Sequence, residues 1–234
     1  MRLSWYTDTR GGGNAGSANA PVAIAITAGM PAFSQQMVVP HTGQKRNVIR
    51  LPSSPTRTKL VVRPSIFTSS TRNHAPTPNA LPVLVDGDLV VTESVAIALY
   101  LAEKYLDKRL MPTELSERAQ AFRWLFFVVT ELEQPLWRMA RHAFLYPEAD
   151  RSKAEIALAA RDFLDMARVF EAHMKGRPFV VGDRVSIVDF VTAFTLDWAN
   201  GENLLGDLPA LTRYLGRMYE RPRAAPRIAE RQAS

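Results

Sequence analysis

The stretch Leu81 to Tyr105, LPVLVDGDLVVTESVAIALYLAEKY, leaves its part of the chain few ways to fold. Leu81 to Val85 is a short apolar run ending at Asp86-Gly87-Asp88, and Leu89 to Val91 follows. Such a pair of runs around an Asp-Gly turn predicts a β-hairpin. From Thr92 to Tyr105 the period changes: Val95, Leu99 and Ala102, with Ala98, Leu101 and Tyr105 beside them, recur at helical spacing. The order is strand, turn, strand, helix. Pro82 lacks an N–H, so it marks a sheet edge, a strand start or a cis peptide. Glu93 and Ser94 fall in the first turn of the helix, where free backbone N–H groups and the helix dipole favour a negatively charged partner. Taken alone, such residues are also what helix capping selects.

A chain of 234 residues with 47% hydrophobic and 22% charged residues has material for one core or two small ones. It holds no cysteine, which rules out disulfides, thiolate nucleophiles and thiolate metal sites, and its four scattered histidines predict no metal centre. Hydroxyls, carboxylates or a bound ligand must carry any chemistry. No apolar run reaches the length of a membrane-spanning helix, and the opening MRLSWYTDTR lacks the apolar core of a secretory signal, so a cytoplasmic location without membrane contact is expected. The net charge of +6 is concentrated: from Thr9 to Val85 there is no Asp or Glu but there are eight Lys and Arg, which leaves the rest of the chain mildly acidic. Thr42 to Pro78 is rich in Ser, Thr, Pro and Arg with no sustained period, and residues 40–79 are expected to be an irregular basic insertion. Without interleaved aromatics the segment offers no stacking platform, so nucleic acid is not an expected partner.

The second half is legible as helices. Glu114 to Phe144, Ser152 to Lys175, Ser186 to Asn200 and Leu208 to Glu220 are broken by Pro147, by Gly176 to Pro178 and by Gly206. Within them FVVGDRVSIVDF sets Ser186 three residues before Asp189, a capping box at the head of an apolar helix with Phe190, Val191, Phe194 and Trp198. Asp189 is therefore read as a structural cap, its loss expected to cost about 1 kcal/mol or somewhat more.

The segment from Leu81 to Tyr105 resembles the glutathione-binding half of the thioredoxin-like domain in the glutathione transferase family, and the Gly-Asp element with its S/T-x-x-D box resembles one in the family's second domain. The resemblance implies an α/β plus all-α fold. Residues 1–107 would form a thioredoxin-like glutathione-binding domain carrying the insertion, and residues 113–234 an all-helical domain. It also implies roles: Leu81, preceding Pro82, pairs through its backbone with the cysteinyl part of glutathione, while Glu93 and Ser94 hold the γ-glutamyl end. Further upstream, Ser17, Pro21 and Ala28-Gly29-Met30-Pro31 reproduce the spacing of the bacterial β-class members, in which a first strand (here Arg2 to Tyr6) precedes the catalytic residue and an apolar helix follows it. Ser17 then stands at the catalytic position, ranked above Tyr6, with Thr7 and Ser4 as lesser candidates, and Ser34 to Val39 would be the second strand. In WLFFVVTELEQPLW, Glu133 and Gln134 replace the histidine and lysine of β-class members. The resemblance implies glutathione as co-substrate, a small apolar electrophile as partner, a homodimer and a role in detoxification. Trp124, Phe127, Trp137 and Phe144 are possible liners of the substrate site, although helical spacing favours the core for most of them. A non-catalytic relative that binds glutathione or a protein partner is the alternative.

Overall fold

The computed structural model describes residues 82–232, and before them the backbone of four strands, 2–4, 25–27, 47–50 and 58–62. The chain divides into two compact units, Met1–Tyr105 and Leu106–Ser234.

In the first unit β1 (Arg2–Ser4) pairs antiparallel with β2 (Ala25–Thr27). A second sheet has the order β3 (Asn47–Arg50), β4 (Thr58–Val62), β5 (Val83–Asp86), β6 (Leu89–Thr92), every neighbour antiparallel. Two sequence expectations are corrected here. The apolar run after Pro21 holds a strand, β2, where a helix was expected: Ala25-Ile26-Thr27 carries two β-branched residues, which suit a pleated ladder. The span 40–79 is not wholly irregular, because NVIR and TKLVV are β-rich runs on either side of Pro52 and Pro55. Strands of four and five residues are too short to show a period among so many Ser, Thr and Pro. Of the first strand expected over Arg2 to Tyr6, Arg2–Ser4 is described as β1 and Trp5 and Tyr6 lie outside the described residues, as does Ser34 to Val39.

The hairpin forms as expected. β5 and β6 join through Gly87-Asp88, with Asp86 opposite Leu89 and Gly87 at φ 62, a left-handed value that glycine takes without cost. Pro82 lies just before β5, an internal strand, which fits the strand-start reading of this proline and not a sheet edge. Helix α1 (Ser94–Lys104) follows and packs on β5 and β6. Its buried face is Ile97, Ala98, Leu101 and Ala102, so the core stripe is centred on Ile97 and Leu101 rather than on Val95 and Leu99. With Leu84 these residues form the described core of this unit.

The second unit is helical. A continuous helical run contains α2 (Leu115–Phe127), a π-helical segment Val128–Glu133, α3 (Gln134–Ala140) and a second π-helical segment Arg141–Leu145. The first widening has a local cause: Pro135, in the first turn of α3, cannot donate to a carbonyl one turn back and its ring crowds that carbonyl, so the turn before it opens. Then come α4 (Lys153–Met174), α5 (Ile187–Gly201), α6 (Pro209–Tyr219) and the short α7 (Ile228–Gln232). Twelve of the fifteen residues of α5 are buried, including Phe194, Leu196 and Trp198, which makes it the central helix of the unit. It packs on α2, α6 and α7, while α4 packs on α3 and α6.

Candidate functional site

The sequence of the hairpin and α1 brings three of the expected residues together. The register pairs Val83 with Thr92, so Pro82, just before one strand, and Glu93, just after the other, meet at the same end of the hairpin. Pro82 is buried; Glu93 is exposed and Ser94, the first residue of α1, is half-buried. Glu93 is the N-cap residue, yet its side chain makes no cap hydrogen bond, and its carbonyl accepts from the Ile97 N–H at 2.9 Å. No acidic side chain lies in the first turn. The leading N–H groups of α1 therefore have no side-chain cap, and they can receive an anion.

Glu93 has φ 65 and ψ 122. A side chain in this region is strained by about 1 to 3 kcal/mol, and such residues gather where structure is held for a function. The opposite end of the hairpin is fixed to α1 by Asp86, 8% exposed, which accepts hydrogen bonds from the Tyr100 hydroxyl at 2.6 Å and from the Lys104 ammonium. That bond to Asp86, with burial behind it, raises the Tyr100 pKa above its ordinary value. The clamp sets the angle at which Glu93 and Ser94 are presented. Sequence reasoning missed it, although Tyr100 and Lys104 one turn apart, after an aspartate at a turn, are its visible signal.

Leu81, Ser17 and Tyr6 lie outside the described residues, as do the lesser candidates Thr7 and, for its side chain, Ser4. Among the described residues no group of three His, Asp or Glu could hold a metal ion, and no helix is long and apolar enough to cross a membrane.

In the helical unit the polar residues are structural. Asp189 is fully buried and accepts from the N–H groups of Val180 (2.9 Å) and Ser186 (2.8 Å) and from the hydroxyls of Ser186 (3.0 Å) and Tyr214 (2.9 Å). It joins α5, α6 and the loop before α5, well beyond a simple cap. Burial raises its carboxyl pKa, and these four bonds offset part of that effect. Glu171 of α4 accepts from the N–H groups of Ala210 and Leu211, both at 2.9 Å, so a side chain nearly forty residues away caps α6. No local sequence signal announces it. Glu133, 8% exposed, has thinner support from the Trp137 indole N–H at 3.2 Å and the Thr195 hydroxyl at 3.5 Å, and burial pushes its carboxyl pKa up.

Trp124 is core: it is 4% exposed, stacks on His173 with ring centroids 3.9 Å apart and meets Phe127 and Phe170. Trp137 packs edge-on against the buried Trp198 at 5.1 Å, and Phe144 is half-buried. A cavity of about 420 Å³ opens beside His173 and Arg123.

Two family models match the sequence, the glutathione S-transferase N-terminal domain over residues 70–103 and its C-terminal domain over residues 132–222, together just over half of the chain. Among curated proteins, glutathione S-transferase F10 of Arabidopsis thaliana is 32% identical over 113 residues, 47% of this chain and 53% of that protein. Glutathione S-transferase theta-2 of Mus musculus is 29% identical over 147 residues, 60% of each. The chain thus spans little more than half the length of these relatives. Among solved structures, Ure2p in complex with glutathione superposes with a TM-score of 0.55 at 20% identity, over 61% of this chain and 72% of that one, a likeness of fold.

Proposed function

From the premise that this chain belongs to the glutathione transferase family, we propose that the hairpin end and the start of α1 hold glutathione, and that the protein transfers its thiolate to a small apolar electrophile. The strained backbone of Glu93 at an uncapped helix start is the observation that carries this reading. The ligand's γ-glutamyl carboxylate meets the first N–H groups of α1 and the Ser94 hydroxyl, where the dipole and charge-assisted hydrogen bonds favour it. Its ammonium meets the Glu93 carboxylate. The cysteinyl backbone pairs with the chain at Leu81, and Pro82, with no N–H of its own, leaves the strand to begin only at Val83.

Catalysis then needs a donor to the glutathione sulfur, so that the thiolate is populated near neutral pH. Ser17 is the first candidate for this hydroxyl and Tyr6 the second. The thiol proton leaves to solvent; the thiolate attacks the electrophilic carbon, a C–S bond forms and the leaving group departs with its electron pair. The spacing of Ser17, Pro21 and Ala28 to Pro31 supports a nearer likeness to the β class, while the strand β2 in place of the expected helix and Glu133 with Gln134 mark departures from it.

Calorimetric titration with glutathione tests the reading. The wild-type chain is expected to bind, and Glu93→Ala with Ser94→Ala to lose about a hundredfold or more in affinity, since one charge pair and one charge-assisted hydrogen bond are removed. Absence of binding by the wild type overturns it. Binding without turnover of a generic aryl halide electrophile would assign the protein to binding alone. With turnover, Ser17→Ala against Tyr6→Phe identifies the thiol donor.

A further inference from the structure

Where α4 ends and α6 begins, a second group of residues encloses an open cavity of about 320 Å³. Arg177, Arg213 and Arg217, all exposed, line it with Met174, Gly176, Pro178 and Ala210, and no carboxylate is among its lining residues. Three arginines elsewhere in the unit meet acids, Arg138 with Asp162, Arg168 with Asp165 and Arg227 with Asp197. Among the described residues none of the three cavity arginines is within ion-pair distance of a carboxylate. Arg213 and Arg217 are one turn apart on α6, an arrangement in which like charges repel unless an anion lies between them. Arg217 is also held in place, donating to the Arg177 carbonyl at 3.0 Å and lying over the Tyr214 ring at 5.9 Å. Gly176, at φ 72, ends α4 and turns the chain so that Arg177 reaches the cavity.

The nearby helix start plays no part in this arrangement. The Ala210 and Leu211 N–H groups are already taken by Glu171, whose buried carboxylate is spent on them. What remains open is guanidinium alone. A guanidinium offers a planar fork of N–H donors that matches tetrahedral oxyanions two bonds at a time, and three cations together suit a doubly charged group. We propose that this cavity is an anion site that takes a phosphate group, either inorganic phosphate or the phosphate of a small organic monoester. The site uses no residue of the glutathione reading and stands or falls apart from it.

Phosphorus NMR titration of the full chain at low ionic strength, once with inorganic phosphate and once with phenyl phosphate, tests the site. Saturable binding is expected for at least one of them, weakened about tenfold or more in Arg213→Ala with Arg217→Ala and unchanged in Arg168→Ala, an exposed arginine elsewhere on the unit. Should the alanine pair fail to fold, Arg213→Gln with Arg217→Gln carries the same expectation. Tighter binding of the ester assigns the site to organic phosphates, and binding of inorganic phosphate alone assigns it to the free ion. Equal affinities in wild type and double variant, loss of the signal to chloride at matched ionic strength, or no saturable binding of either probe overturns the proposal.

Discussion

At the scale of single residues, Glu93 and Glu133 are both carboxylates placed at a cost, and the costs differ in kind. Glu93 is strained in its backbone and exposed at its side chain. Glycine adopts φ 65 freely but adds chain entropy to the unfolded state, so Glu93→Gly is expected to gain about 1 kcal/mol in urea unfolding. The same substitution should weaken glutathione binding, and calorimetry on the one variant reads both halves of this trade. Glu133 is instead buried with two weak partners. Because its pKa in the folded chain is raised, the folded state binds the proton more tightly than the unfolded state does. Its favourable contribution is complete below the ordinary glutamate pKa and is lost as pH rises through the raised value. Thermal unfolding should therefore show Glu133→Gln gaining on the wild type at pH 8 (about two units or more above the unfolded pKa) and not at pH 4. An equal difference at both pH values would mean that Glu133 keeps its proton, or its charge, throughout.

At the scale of elements, the helices were plain in the sequence and their fastenings were not. Ser152 and Ser186 stand immediately before α4 and α5, Gly176 lies two residues past the end of α4, and Pro147 and Gly206 fall in the connections that precede α4 and α6. Caps and breakers are local, so a sequence shows them. The tie from Glu171 to α6 and that from Tyr214 to Asp189 span dozens of residues, and such pairs leave no trace in local spacing. The same holds for the first unit: the hairpin and α1 were legible from a turn and a change of period, whereas β3 and β4 are too short to announce themselves. Of the candidate site, Pro82, Glu93 and Ser94 are named by the family resemblance that these legible elements carry; the strain at Glu93 has no sequence signal. Asp189 shows what the difference amounts to. Read as a cap it is worth about 1 kcal/mol, but Asp189→Ala leaves the buried N–H groups of Val180 and Ser186 without an acceptor and the Tyr214 hydroxyl with only the backbone carbonyl of residue 189 at 3.3 Å, and should cost about 3 kcal/mol or more in denaturant unfolding. Tyr214→Phe removes one of these bonds and should cost about 1 kcal/mol. If the two variants cost the same, Asp189 acts as no more than a cap.

At the scale of the whole molecule, the exposed apolar surface bears on assembly. On α2, Leu115 and Phe126 are 79% and 58% exposed. Phe122 stacks on Phe126 with ring centroids 6.5 Å apart, and Arg118 stands over its ring at 5.6 Å. Residues 115, 122 and 126 are spaced seven and four apart, so they share one face of the helix. The exposed Phe126 and Leu115, with the half-buried Phe122 between them, leave apolar area in water whose burial by a second copy of the chain would be favourable. If the homodimer expected from the family resemblance forms through this face, Phe122→Glu with Phe126→Glu should abolish it by placing like charges on both sides of the seam. Light scattering is expected to show the wild type at twice the chain mass of 26.1 kDa and the variant at that mass, with the helical circular dichroism of both alike. Pro82, Glu93 and Ser94 all belong to one chain, so the monomeric variant should still bind glutathione. A wild type that is monomeric at tens of micromolar would leave the aromatic face without this partner, and a variant that loses both dimer and glutathione would mean that a residue from the second subunit completes the binding site.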